Sequence, residues 1–171
     1  IFVSMTFSGK VFSVLSVFIS IIGVIFALHI LLLLLQYTIA AVLTKRNPFK
    51  LLATMMPAYF TALGTQSSAA TIPVALEQTL KNGVSEKIAG FVIPLCATIH
   101  LSGSTMKITA CAMALMILEG RPIDFTLFVG FIFMLGITMV AAPGVPGGAI
   151  MAAVGILQTM LGFNEEMIGL M

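Results

Sequence analysis

Most of the charge in this chain is gathered into four short clusters, and the stretches between them are apolar. Lys45, Arg46 and Lys50 form the first cluster, in TKRNPFK, and Lys81, Glu86 and Lys87 the second, in KNGVSEK. Glu119, Arg121 and Asp124 form the third, in EGRPID, and Glu165 with Glu166 the fourth, in NEE. A chain patterned this way keeps its charges hydrated by threading the apolar stretches through a lipid bilayer. Composition agrees, since 60% of the residues are hydrophobic and 8% charged, against about 25% charged for a water-soluble domain. A net charge of +2 with no basic stripe leaves no footprint for nucleic acid.

The clusters also give direction. Lysine and arginine favour the cytoplasmic face, which puts 45–50 and 81–87 inside and the net acidic 119–124 and 164–166 outside. Residues 11–44 then form one long inward-running transmembrane helix. Residues 51–80 begin and end inside, so they must enter the membrane and return. As a helix, Leu51 to Leu63 is about 20 Å long, short of a hydrocarbon core of roughly 30 Å. The return falls on GTQSSAATIP, Gly64 to Pro73. Residues 88–118 cross once. Residues 125–161 begin and end outside, with AAPGVPGGA at their centre. The expected fold is all-α: transmembrane helices plus two oppositely oriented re-entrant helical hairpins. The competing arrangement makes 51–80 one kinked helix with close-packing Ser and Ala, at the cost of placing a basic cluster outside.

Non-helical backbone at membrane depth is tolerated only against protein or a water-filled cavity. At the first tip, Pro73 suits the first turn of a helix, and Ser67, Ser68 and Thr71 suit its cap. At the second, Pro146 is followed by Gly147 and Gly148, which let a ligand approach the backbone. Half-helix N-termini attract carboxylates, so two such tips meeting make an anion pocket. The segment between them carries TIHLSGSTMK, Thr98 to Lys107. Gly103 among hydroxyls is the expected unwound point, the alternative being hydroxyls bonded back to the preceding turn. Ionisable residues inside a membrane mark relays and ion pathways, which draws attention to His100 and Lys107. His29, alone beside a run of leucines, reads as a packing residue. Cys96 and Cys111 lie about 22 Å apart on a helix, too far for a disulfide. The ends, Ile1 and EEMIGLM, read as those of an internal piece.

TALGTQSSAATIP, PLCATIHLSGST and PGVPGGAIM, in this order, resemble the dicarboxylate/amino acid:cation symporters, the glutamate transporter family. The resemblance covers nearly the whole chain and makes it part of a mobile transport domain. It implies a sixth transmembrane helix at 11–44, a first hairpin at 48–80 and a seventh helix at 85–119. A second hairpin comes next at 122–161, and then the start of an eighth helix at 164–171. It implies an elevator symporter that moves a small anionic or zwitterionic substrate with Na+ or H+, homotrimeric in the full-length protein, in the cell membrane. Substrate contacts carry over to Gln66, Ser67 and Ser68, to Ser104, and to Gly144, Val145, Pro146 and Gly147, with the second hairpin as extracellular gate. Cation binding or coupling carries over to Cys96, Thr98, His100, Leu101, Ser102, Lys107, Met139, Val140 and Ala142. No cofactor and no transition-metal site is implied.

The chain departs from the family where the seventh helix usually reads N-M-D-G-T. Here the residues are His100, Leu101, Ser102, Gly103 and Ser104, so an amide and a carboxylate that help hold sodium are gone. Lys107 lies close by, suited to replace the missing cation or to couple transport to protons. The second tip is one residue shorter than G-V-P-G-x-G. Substrate identity depends on the eighth helix, and the 171-residue piece by itself is expected not to transport. Against a symporter stand a passive pore, which would use a ring of identical loops, and a non-transporting membrane remnant. No nucleophile with a positioned base and no nucleotide loop speaks for an enzyme.

Overall fold

The computed structural model describes residues 11–171, with side chains from Ile19 onward; the reading of the chain's opening at Ile1 lies outside them. Every regular element among the described residues is a helix, as the apolar patterning requires. The order is α1 (Val11–Thr44), α2 (Pro48–Thr65), α3 (Ser68–Lys81), α4 (Glu86–Ile99), α5 (Ser102–Leu118), α6 (Phe125–Met139), α7 (Gly148–Leu161) and α8 (Glu165–Gly169). Ile19–Thr44 and Glu86–Leu118 are long and apolar enough to cross a membrane.

Helix α1 is aliphatic on all sides and leans on α2 and α5. Its outer leucines are bare, Leu43 to 79%, which suits a helix solvated by lipid tails. The His29 ring stacks on Tyr59 of α2 with centroids 5.8 Å apart, a packing role.

Helices α2 and α3 fold back on each other as one helical hairpin, and α6 and α7 as a second. The first begins with Pro48 at its first position and Asn47 as cap, whose Oδ1 accepts from the Phe49 and Lys50 amides. Asp124 caps the second through the Thr126 and Leu127 amides. Each hairpin is closed at its base by an arginine. Arg46 Nη1 donates to the Asn82 carbonyl, and Arg121 Nη2 donates to the Leu161 carbonyl at 2.6 Å.

The core sits where α5, α6 and α7 meet. Phe131, Leu135 and Leu157 are fully covered, and Ala112 and Ala153 let the helices approach. Phe128 meets Phe131 edge-on at 6.0 Å. In lipid these contacts act through close packing rather than through release of water. The first hairpin is barer, with Ala58, Thr71 and Gln78 its only buried residues.

Two local expectations are corrected. Pro73 lies inside α3 rather than in its first turn, because Ser67 already caps the helix and starts it at Ser68. The missing Pro73 N–H instead leaves the Ala69 carbonyl without its helical donor. Gly103 is helical within α5, and the break falls at His100 and Leu101. First-turn N–H groups have no partner within the helix in any case, so glycine just after the break carries little cost there.

Candidate functional site

The two hairpin tips touch. Gln66 ends α2 in the left-handed region, φ 51°, with its N–H on the Ala62 carbonyl at 2.9 Å. Ser67 then turns the chain, and its Oγ accepts from the Ala70 amide at 3.2 Å. The same hydroxyl donates to the Gly144 carbonyl of the second tip at 2.8 Å, and the Ala69 amide donates to that carbonyl at 3.2 Å. One carbonyl of the second tip is therefore held by two donors from the first. A Cβ on Gly144 would lie 3.4 Å from both the Ala69 nitrogen and Ser68 Cβ, so glycine sets how closely the tips meet.

The second tip is built from backbone alone. Tight turns run from Val140, Ala141 and Ala142 back to Ile137, Thr138 and Met139. Gly147 caps α7 at φ 76° with no side-chain bond. The adjoining Gly148 packs against Pro143, where a Cβ would collide with the proline's carbonyl oxygen and approach its Cγ to 2.9 Å.

Beside the tip contact lies a cavity of about 360 Å³. Three helix N-termini border it: Ser68 of α3, Leu101 with Ser104 at the start of α5, and Gly147 with Ala149 at the start of α7. Each brings a partial positive charge and first-turn N–H groups, although in α3 the Ala69 and Ala70 amides are already engaged by Gly144 and Ser67. Lys107 lines the same wall. Its ammonium makes no ion pair or hydrogen bond among the described residues. The cavity is thus suited to an anionic group.

Of the residues expected to meet substrate, Gln66, Ser68, Ser104, Gly144, Val145 and Gly147 line this cavity. Ser67 stands behind it, its hydroxyl engaged in the cap and on Gly144. Pro146 is not in the lining. Of those expected to serve a cation, Leu101 and Lys107 line it and the others do not. Cys96 and Thr98 lie in the last turns of α4, where the Cys96 carbonyl accepts from the His100 amide at 3.1 Å. Thr98 Oγ1 is turned back to the Leu95 carbonyl. His100 Nε2 lies 3.4 Å from Ser102 Oγ and 3.3 Å from the Gln36 amide nitrogen of α1. The imidazole accepts from Gln36 when its proton is on Nδ1. The side chains of Met139 and Ala142 are buried, and Val140 is exposed. Among the described residues no three His, Cys, Asp or Glu side chains come together as a metal site.

Gln36 does not stand out in the sequence. Its signal is an amide beside five leucines, a group that looks for a partner in lipid. Ile108 is a further cavity residue that lies in none of the three motifs, and Pro143, at the head of PGVPGGAIM, lines the cavity as well.

A polar cavity at the breaks of several helices, in a chain this apolar, marks a helical membrane protein with an internal polar site. The chain belongs to the sodium:dicarboxylate symporter family, whose profile matches residues 1–171. It is similar to neutral amino acid transporter B(0) of Bos taurus, 31% identical over 152 residues, covering 81% of this chain and 28% of that protein. Excitatory amino acid transporter 2 of Homo sapiens is 32% identical over 133 residues, covering 76% of this chain and 23% of the relative. The chain thus spans about a quarter of the length of these relatives, which are transporters and not enzymes.

Proposed function

We propose that this chain forms part of the mobile domain of a secondary active symporter in the cell membrane, a homotrimer in its full-length form. The two hairpins are re-entrant, from opposite faces, and the cavity between their tips receives a dicarboxylate or amino acid. The domain carries the substrate across by an elevator motion coupled to Na+ or H+, with the second hairpin as gate. The observation that carries this reading is the Gly144 carbonyl, held by Ser67 and Ala69 beside a cavity into which three helix N-termini open. Such termini favour a carboxylate, and a gate resting on two hydrogen bonds can open at modest cost.

Lys107 takes a second role in this proposal. A carboxylate is the strongest oxygen ligand for a hard cation, and the position where the family carries one is Ser102 here. The Lys107 ammonium supplies a fixed positive charge in its place, or pairs with a second carboxylate of the substrate.

Thiol protection tests the cavity. With Ser68→Cys or Val145→Cys in the reconstituted protein, L-aspartate, succinate or L-alanine at saturation is expected to slow modification at both positions together. Protection at neither position, or at one alone, defeats the shared pocket. Uptake measured with sodium replaced and a pH gradient imposed separates the couplings; an undiminished need for sodium removes the proton.

A further inference from the structure

The far end of the first hairpin holds a second cavity, about 340 Å³, between the turn that enters α2 and the turn that leaves α3. Arg46, Lys50 and Lys81 line it, together with Asn47, Thr54 and Asn82. Helix α2 runs 18 residues from this cavity to the tip, so about 27 Å separates the two cavities. A ligand here would be independent of the transport reading.

Two of the three cations are held in place. Arg46 bonds the Asn82 carbonyl, and its guanidinium lies over Gly83, where a Cβ would come within 2.8 Å of Nη1. Gly83 sits at φ 80°, so glycine serves both the turn and the arginine. Lys81 Nζ donates to Glu77 Oε1 at 2.7 Å. Gln78, oriented with its nitrogen on the Thr54 carbonyl at 3.0 Å, accepts from Lys81 at 3.2 Å. Lys50 has no side-chain partner among the described residues. Among the described residues Glu77 is the one carboxylate paired with any of them, so the site keeps a surplus of two positive charges.

The second hairpin shows what the arginine alone is for. Arg121 grips the Leu161 carbonyl and lies 3.3 Å from the position of a Cβ on Gly162, itself at φ 63°. Its charged neighbours in sequence are Glu119 and Asp124 rather than lysines. Closing a hairpin base therefore needs an arginine and a glycine, and no lysine. Lys50 and Lys81 are unexplained by the clamp.

We propose that this basic cavity binds a phosphate group. The guanidinium donors of Arg46 not engaged by the Asn82 carbonyl are offered to phosphate oxygens, and Lys50 and Lys81 flank it as point charges. An anionic lipid headgroup and a soluble phosphate carry the same chemistry, and basic pockets between helices at a membrane face are known to take headgroups.

The chain in phosphatidylcholine nanodiscs is titrated with short-chain phosphatidylglycerol and, separately, with inorganic phosphate, with bound ligand counted by native mass spectrometry. Lys50→Gln is expected to weaken binding about fivefold and Lys50→Gln with Lys81→Gln about 25-fold, in line with the usual contribution per cation at a membrane surface. Lys87→Gln removes the same charge outside the cavity and is expected to change binding less than about twofold. Phosphatidylglycerol that millimolar phosphate cannot displace identifies a lipid site; displacement identifies a soluble phosphate site. If neither probe binds, the proposal is overturned, as it is by equal weakening by Lys50→Gln and Lys87→Gln. The Lys50 side chain makes no bond among the described residues, so its loss of binding is separable from loss of fold.

Discussion

At the base of the first hairpin Arg46 reaches the Asn82 carbonyl and lies over Gly83; at the base of the second, Arg121 reaches the Leu161 carbonyl and lies beside Gly162. The bases match, but the tips do not. The first tip turns on Gln66 and Ser67, with the serine hydroxyl fixing both the cap and the contact to its neighbour. The second turns through Val140 to Gly147 on backbone bonds, prolines and glycines, with no side-chain cap on α7. The first tip is thus held by a side chain that a single substitution can remove, whereas the second is held by main-chain turns and has no side chain fixing the start of α7. The arginine clamps tie the two helices of each hairpin together at the end away from the tips. This contrast suits a fixed first hairpin and a movable second one.

The sharpest way to break the contrast is a methyl group on Gly148. A Cβ there collides with the Pro143 carbonyl, and backbone cannot yield as a flexible side chain would. Gly148→Ala is expected to destabilise by about 3 kcal/mol, the upper end of overpacking costs. The measurement is the thermal midpoint in detergent, read by labelling of the buried Cys111 thiol in a Cys96→Ser background. An unchanged midpoint would mean that the second tip relaxes freely.

The clamps come next. Arg121 is half-buried and donates at 2.6 Å to a helix-end carbonyl. Arg121→Ala is expected to cost about 2 kcal/mol, in the range of charged hydrogen bonds. Arg46 is exposed, so Arg46→Ala is expected to cost under about 1 kcal/mol, by the same thermal assay. Equal losses would deny that the Arg121 clamp is the stronger of the two.

Ser67→Ala removes a cap and the strongest bond between the tips. A loss of about 1 kcal/mol is expected from the cap alone. Ser68, whose hydroxyl makes no bond among the described residues, should tolerate alanine within about 0.5 kcal/mol. Faster labelling of Val145→Cys in the Ser67→Ala background would show that the serine restrains the second tip.

The sequence is most legible where its physics is local. Apolar runs bounded by charges dictate helices, and the all-helical class was legible for that reason. Three motifs in order made the family legible. The cavity residues at the tips were also within reach, because serine, glycine and proline interrupt apolar helix visibly. The exact break was not, since Gly103 is as compatible with a first helical turn as with an unwound one, and only the neighbouring elements decide. The arginine clamps were invisible for a different reason. Arg46 and Gly83, or Arg121 and Gly162, lie far apart along the chain, and each pair reads as an ordinary charge and an ordinary turn until the hairpin brings them together. Gln36 and His100 are a third such pair.

The smallest effect belongs to Gly64, at the end of α2 just before the first tip. A Cβ there meets nothing within 4 Å, and the residue is helical. Alanine narrows the unfolded chain without straining the folded one, so Gly64→Ala is expected to stabilise by roughly 0.5 kcal/mol. The thermal midpoint should rise slightly, and labelling of Val145→Cys should not change. A methyl group would then be accepted on the entry side of the first tip and refused on the exit side of the second. Should Gly64→Ala destabilise instead, the space beside Gly64 is filled by another part of the full-length protein, and the first tip is as closely enclosed as the second.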